Sequence, residues 1–202
     1  NSSEKILVMR VFLTVLVLIF GLHSWTKADD LKDFEIEGIS IGDSVLDFFN
    51  KDEIKKNTWD YFKNKEFTPL QFDNPSFAKT YDAIDIQYIT SDKNFTIMGL
   101  SGIIYYTDKK KIEKCYKKMD SITSEIRSLF SNVYESPKKT SVHTGIDDGG
   151  KSTVTSVYFE FDQGYISIQC YNYSLESNDQ NHLRIGINTK EYVDFLSTRA
   201  YE

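Results

Sequence analysis

The longest regular pattern of apolar and polar residues in the chain has a helical period and covers residues 108–132. Apolar residues recur there every three or four positions, and Lys, Asp, Ser and Glu fill most of the positions between them. This spacing gathers the apolar side chains into one narrow stripe, which predicts an amphipathic helix lying across a sheet. The stripe consists of Ile112, Cys115, Met119, Ile122, Ile126, Leu129 and Val133.

Much of the remaining chain alternates apolar with polar residues, which is the two-residue period of a half-buried strand. Gly99 and Gly102 interrupt one of these stretches and predict a bulge there. A shorter alternation over residues 34–41 predicts an edge strand. The other predicted strands cover residues 84–88, 94–106, 156–161, 165–170 and 182–188.

Two of these strands are separated by residues 163–164, which we expect to form a two-residue hairpin loop. The register that follows pairs Val157 with Cys170 and Ser156 with Tyr171. It also places the apolar residues of both strands on one face of the sheet, as a correct register requires.

Short helices are expected at both ends of the domain. Ser44 is suited to cap one helix, and residues 52–62 predict another. Asn188 is suited to cap a final one. The two prolines in residues 68–76 predict a loop there. Together the patterns predict an α+β class, with a single antiparallel sheet of five or six strands. One long helix and two or three short helices are expected to pack on one face.

Residues 11–22 form an uncharged, mostly apolar run that follows a basic residue, and a small residue, Ala28, comes shortly after it. This order is typical of a secretory signal peptide. We expect residues 1–28 to be a leader that includes a signal peptide over 9–28. Residues 29–202 would then be a single secreted domain, periplasmic or extracellular. A run of twelve residues reaches only about 18 Å as a helix, so we expect no stable membrane span after cleavage.

The chain is acidic, with 24 Lys and Arg against 30 Asp and Glu and a net charge of −6. The leader holds three basic residues and one acidic residue, so residues 29–202 carry a charge of −8. An acidic domain releases few counterions from nucleic acid, and we expect no nucleic-acid partner.

Residues 145–152 fit the phosphate-loop spacing G-x-x-x-x-G-K-[ST]. That loop must open a helix, whereas residues 153–155 predict a strand. Asp147 and Asp148 would also repel phosphates, and the spacing of acidic residues does not match a calcium loop. We interpret this stretch as a polar loop between strands.

Cys115 lies on the helical stripe and Cys170 lies on the inward face of the predicted hairpin. An even pair of cysteines in an oxidising compartment favours a disulfide. The alternative is two separate buried thiols that pack as small apolar groups.

Catalytic signals are sparse. After the leader only His143 and His182 remain, each alone on a predicted strand and expected to be exposed. The chain contains no His-x-x-x-His, Cys-x-x-Cys or G-x-S-x-G spacing. We therefore predict no catalytic residue, metal or cofactor. A triad assembled from distant residues leaves a small secreted hydrolase, with its site built across the sheet, as an alternative.

Three tyrosines, Tyr158, Tyr171 and Tyr173, fall on the sheet face opposite the predicted core. Tyrosine gives rigid, amphipathic contact area, so this face is the candidate binding surface for a protein, peptide or small-molecule ligand. Ordinary cross-strand packing is the alternative interpretation. The leading prediction is a non-catalytic secreted binding or interaction domain.

Residues 39–49, Ile-Ser-Ile-Gly-Asp-Ser-Val-Leu-Asp-Phe-Phe, resemble the opening of small bacterial envelope proteins of the BamE-like and β-lactamase-inhibitor-protein-like group. In that group a short helix precedes antiparallel strands. This chain departs from the group by lacking a lipid-bearing Cys and by inserting the long helix. The resemblance implies a non-enzymatic envelope interaction module, or a structural or assembly factor of the envelope, and it transfers no site residues.

Overall fold

Eight strands form one antiparallel sheet in the computed structural model, which describes residues 30–108, 112–130, 132–143 and 151–202. Three α-helices accompany the sheet within these ranges. They are α1 (Lys51–Asn57), α2 (Glu113–Leu129) and α3 (Lys190–Thr198). The strands are β1 (Phe67–Asp73), β2 (Ala83–Ile89), β3 (Ile97–Tyr106), β4 (Tyr134–Glu135), β5 (Lys139–Val142), β6 (Thr153–Phe161), β7 (Gly164–Asn172) and β8 (Asn181–Thr189).

The strand order is β1-β2-β3-β8-β7-β6, and the short β4 and β5 both pair with β6 at the far edge. The predicted α+β class and single antiparallel sheet are confirmed, but the predicted count of five or six strands is wrong. Strand β1 contains Pro69, which had favoured a loop. At the edge of a sheet a proline nitrogen can face away from the neighbouring strand, and the Pro69 carbonyl oxygen accepts a hydrogen bond from the Trp59 amide on that outer side. Strands β4 and β5 are too short to show a period.

The predicted hairpin register is wrong by two residues. Val157 pairs with Ile168, and Cys170 pairs with Thr155. The loop falls one residue earlier than predicted because Gly164 already belongs to β7. A Cβ at Gly164 would lie 2.0 Å from the carbonyl oxygen of Asn188, so this glycine permits close approach of β8. A shift of two residues leaves every side chain on its predicted face.

The amino-terminal segment does not form the predicted edge strand. Residues 36–39 instead make a tight reversal in which Ile36 and Ile39 exchange backbone hydrogen bonds, with Glu37 and Gly38 at positive φ. Both isoleucines are buried, so their spacing of three reflects a turn that directs two side chains into the core.

The short helices differ from their predicted bounds. Ser44 caps only a single 3₁₀ turn, Val45–Asp47, and α1 ends at Asn57, five residues earlier than predicted. The final helix is capped by Thr189, whose hydroxyl accepts a hydrogen bond from the Tyr192 amide, so the prediction of Asn188 as the cap is wrong.

Helix α2 covers one side of the sheet, which we call the core face. Its buried residues Cys115, Met119, Ile122 and Ile126 pack against the apolar residues of the strands, together with the segment over residues 31–54. The predicted long helix is thus confirmed, with its first turn at Glu113. No helix among the described residues is long and apolar enough to cross a membrane. The predicted leader lies outside those residues.

Helix α3 packs on the opposite side of the sheet, so the prediction that all helices share one face is wrong. A second, smaller apolar cluster lies beneath α3 and contains Phe62, Phe67, Tyr192, Phe195 and Ala200. Beyond α3 this side is polar, and we call it the polar face. Its principal residues are Asp85, Ser101, Tyr105, Ser156, Tyr158, Ser167, Gln169, Tyr171, His182 and Arg184.

Candidate binding site on the polar face

Arg184 lies at the middle of the polar face, on the central strand β8. Its direct neighbours in the ladder are Ile103 on β3 and Gln169 on β7. The guanidinium reaches across β3 to β2, where Nη2 donates a hydrogen bond to Oδ2 of Asp85 at 2.6 Å. The pair is largely enclosed, with side chains 28% and 13% exposed for Arg184 and Asp85.

This ion pair is incomplete on both sides. Oδ1 of Asp85 is buried and has no hydrogen-bond partner among the residues that the structure describes. A guanidinium has five N–H donors, and within the described ranges only one donor of Arg184 meets a protein acceptor. Burial raises the pKa of Asp85 despite the opposing effect of Arg184. Burial is the largest single effect on Arg184 and opposes its charge, but Asp85, Tyr171 and Tyr192 together outweigh it and raise the arginine pKa.

Gln169 joins two of the tyrosines predicted from the sequence. The Tyr171 hydroxyl donates to Oε1 of Gln169 at 3.4 Å. Nε2 of Gln169 in turn donates to Oγ of Ser156 and to Oη of Tyr158, both at 3.3 Å. Tyr158 and Tyr171 are each half-buried. The structure therefore brings both hydroxyls to the side chain that lies next to Arg184.

Tyr173 and both histidines gather at one end of the polar face. The ring of Tyr171 stacks on His182 at 4.3 Å between centroids, and Tyr173 lies 5.8 Å from His182. His143 packs 5.7 Å from Tyr171. The prediction of isolated, exposed histidines is wrong, because strand pairing brings them together. Tyr173 is only 8% exposed, unlike the other two predicted tyrosines.

Burial shifts the pKa values of the side chains in this ring cluster. Burial, with a smaller contribution from the nearby charge of Arg184, lowers the pKa of His182 to about 4. Nδ1 of His182 lies 3.0 Å from the carbonyl oxygen of Gln180. Burial likewise raises the pKa of Tyr171 and Tyr173. The ring of His182 is therefore neutral at pH 7, and the tyrosines remain protonated.

A disulfide lies directly behind the ring cluster, on the core face. Cys115 of α2 and Cys170 of β7 are bonded, with 6.0 Å between their Cα atoms, as the sequence had favoured. Sγ of Cys115 lies 3.6 Å from the carbonyl oxygen of His182. Because Cys170 adjoins Tyr171, the bond ties α2 to the backbone that carries the cluster.

Helix α3 forms the other border of the polar face. A Cβ at Gly99 would lie 2.8 Å from the ring of Tyr192, so this glycine lets α3 rest on the sheet. Burial is the main cause of the raised pKa of Tyr192, and the nearby positive charge of Arg184 opposes this effect. Tyr61 is 61% exposed and packs edge-on against Phe62 and Tyr201, next to the apolar cluster beneath α3.

Features of a hydrolase are not found in the described part of the chain. Neither histidine ring has a hydrogen bond to a serine or a carboxylate there, and both cysteines are consumed by the disulfide. No group of three or more His, Cys, Asp or Glu is placed to hold a metal among these residues. The polar loop predicted over residues 145–152 lies mainly outside them, and the segment that follows it is the predicted strand, β6.

Sequence reasoning missed Arg184 and Asp85 as site residues. The signal that was available is an arginine in a strand whose other face is apolar, but the partner is 99 residues away. Comparison of the chain with protein-family models, with curated proteins and with solved structures gave no match. The function must therefore be argued from the arrangement of residues on the polar face.

Proposed function

We propose that this protein is a non-catalytic binding domain whose ligand contacts the polar face around Arg184, Tyr158 and Tyr171. The observation that carries the proposal is an arginine at the centre of a sheet, next to tyrosine hydroxyls. Its side chain is 28% exposed and makes one hydrogen bond to the described residues. Arginine and tyrosine are the residues that most often dominate binding energy at interfaces, because each combines apolar area with directional hydrogen bonds.

The three tyrosines take different parts in this proposal. Tyr158 and Tyr171 are half-buried and hydrogen-bonded through Gln169, so they offer hydroxyls and ring edges to a ligand. Tyr173 is almost fully buried and packs beside Tyr171 with 6.2 Å between ring centroids. Its part is to support Tyr171 rather than to touch the ligand.

The disulfide supports a periplasmic or extracellular location, since such bonds persist in oxidising compartments. Binding of a small molecule or of a peptide fits the polar face better than catalysis does. A hydrolase would need a base next to a nucleophile, and the described histidines pack against tyrosine rings instead.

Amide chemical-shift mapping of the isotopically labelled protein tests this proposal. The probes are glucose, N-acetylglucosamine, a Gly-Tyr dipeptide, phenylacetate and phenylacetamide, each titrated to millimolar concentration. We expect at least one probe to shift the amides of Gln169, Tyr171 and Arg184. Shifts confined to other surfaces, or no shift with any probe, would contradict the proposal.

A matched pair of variants completes the test. Replacing Tyr158 and Tyr171 together with Ser should weaken binding of the active probe by about tenfold or more, because two aromatic contacts are lost. Tyr116→Ser changes a tyrosine on α2, on the other side of the sheet, and should leave that affinity unchanged. Equal affinity of the double variant and the native protein would dismiss the polar face.

A further inference from the structure

The three arginines of the described residues are paired with carboxylates in two different ways. Arg127 donates from Nε and Nη2 to the two oxygens of Glu135, both at 2.6 Å. Arg199 does the same with Glu66 at 3.1 and 3.2 Å. Arg184 makes a single hydrogen bond to Asp85. Arg127 and Arg199 thus each form a bidentate ion pair, which we call a complete fork, whereas Arg184 does not.

The exposed fractions of the three arginine side chains add to this contrast in hydrogen bonding. The side chains of Arg127 and Arg199 are 59% and 41% exposed, whereas Arg184 is 28% exposed. A buried ion pair repays its desolvation only when its geometry is excellent and its remaining donors and lone pairs are satisfied. The least exposed arginine is therefore the one whose hydrogen bonds are least complete. Its unused donors mark a place where an acceptor outside the described chain would fit.

The geometry of a guanidinium restricts that acceptor. Its N–H groups form a planar fork that matches two oxygens of a carboxylate or a phosphate. Asp85 already contributes one negative charge at 2.6 Å, and the chain as a whole carries −6. A second negative charge on the ligand would be repelled by Asp85, so a monoanionic carboxylate fits better than a dianionic phosphate.

The side chains around Arg184 limit which chemical group can be attached to the carboxylate of the ligand. Gln169 is its direct neighbour on β7 and holds Tyr158 and Tyr171 by their hydroxyls. Tyr192, at the α3 border of the same face, is only 5% exposed and offers little ring surface to a ligand. A ligand whose carboxylate is on Arg184 therefore meets the half-buried rings of Tyr158 and Tyr171 on the β7 side, and aromatic pairs gain energy beyond their buried area.

We propose that the polar face binds a small aromatic carboxylate, with its carboxylate on the fork of Arg184 and its ring against the flanking tyrosines. The inference rests on the proposed binding function and names its ligand class. Asp85 acts as a positioning residue in this arrangement. Its single hydrogen bond fixes the guanidinium in place and leaves most of the donors for the ligand.

Calorimetric and chemical-shift titrations with four probes test the ligand class. Phenylacetate carries both a ring and a carboxylate, phenylacetamide lacks the charge, acetate lacks the ring, and phenyl phosphate carries a second charge. We expect phenylacetate to bind at least about tenfold more tightly than each of the other three, with shifts at Arg184 and Gln169. Equal binding of phenylacetamide, or tighter binding of phenyl phosphate, would overturn the inference.

Variants separate binding from stability. Arg184→Lys keeps the charge but loses the fork, and should weaken phenylacetate binding by about tenfold or more. Arg127→Lys makes the same change at a complete fork on α2 and should have no effect on affinity. Asp85→Asn keeps an amide oxygen that can accept the hydrogen bond positioning Arg184 but removes the competing charge, and it should strengthen phenylacetate binding several-fold. A weaker or unchanged affinity in Asp85→Asn would contradict a ligand-binding role for the fork.

The outcomes also separate this inference from the broader proposal. If phenylacetamide, glucose or the dipeptide shifts the polar face as strongly as phenylacetate, the face binds ligands but Arg184 does not select a carboxylate. If no probe shifts it, both are wrong. Should Arg184→Lys fail to give a dispersed spectrum, the comparison among the four probes and the Asp85→Asn titration still decide the question.

Discussion

The core face and the polar face are built from the same strands and differ by a step of one residue. Ile168 and Ile185 point towards α2 and are at most 2% exposed, while their sequence neighbours Gln169 and Arg184 point the other way. The core face is apolar and is tied by a disulfide. The polar face holds an incomplete ion pair, a glutamine network and stacked rings.

The difference shows which groups the fold needs for stability. Apolar burial on the core face accounts for most of the driving force for folding, as it does in other domains. An enclosed ion pair with a buried, unpartnered oxygen stabilises little, and replacing such pairs by apolar residues is often neutral or stabilising. Stability alone therefore does not account for Arg184 and Asp85, which is why we propose this pair as the centre of the binding face. Places where a sequence departs from the most stable choice are commonly functional.

The largest expected change in stability comes from removing the disulfide on the core face. Replacing Cys115 and Cys170 together with Ala should lower the free energy of unfolding by about 4 kcal/mol, because the bond closes a long loop across 55 positions. Urea unfolding followed by circular dichroism measures the change. Reductant should bring the native protein to the same midpoint and leave the double variant unaffected. A native protein whose urea midpoint does not change with reductant and that contains two titratable thiols would contradict the disulfide.

The next effect belongs to the polar face and depends on pH. His182 has its pKa lowered from 6.5 to about 4 in the folded chain, chiefly by burial. The unfolded chain therefore binds more protons between these values, so stability must rise with pH across that window. On acidification from pH 7 to pH 4, the loss due to His182 is at most about 3 kcal/mol.

Unfolding curves for the native protein and for His182→Asn, measured from pH 4 to pH 7, check this expectation. Asparagine keeps a polar group near the Gln180 carbonyl but does not titrate. The difference between the two proteins isolates His182 from the charged and ring groups around it, Asp179, Arg184 and His143, which are the same in both. The native protein should lose stability more steeply below pH 6.5, and parallel curves would show that burial does not depress the histidine pKa.

The contrast between the faces also explains which parts of the fold were readable in the sequence. Helix α2 and strands β6, β7 and β8 follow from local periods, because burial of one face imposes a regular spacing. The hairpin register was predicted two residues away from its true position, since the role of Gly164 is set by β8 and not by the turn. Strand β1 was missed because Pro69 is informative only once the strand is known to lie at an edge.

The candidate site was readable only in part. Alternation alone put Tyr158 and Tyr171 on the side away from the core, and the structure places them there. The pairing of Arg184 with Asp85 depends on β8 lying beside β3 and β3 beside β2. Strand order is a non-local property that no window of the sequence contains, so the centre of the polar face became visible only in three dimensions.

The smallest effect compares one hydroxyl on each face. The Tyr171 hydroxyl donates to Gln169 on the polar face, whereas within the described residues the Tyr88 hydroxyl on the core face has no hydrogen bond in the structure. Tyr171→Phe should therefore cost about 1 kcal/mol, and Tyr88→Phe should change stability by less than about 0.5 kcal/mol. Urea midpoints at pH 7 measure both. An equal cost for the two variants would mean that the glutamine network contributes nothing, and the polar face would then depend on ring packing alone.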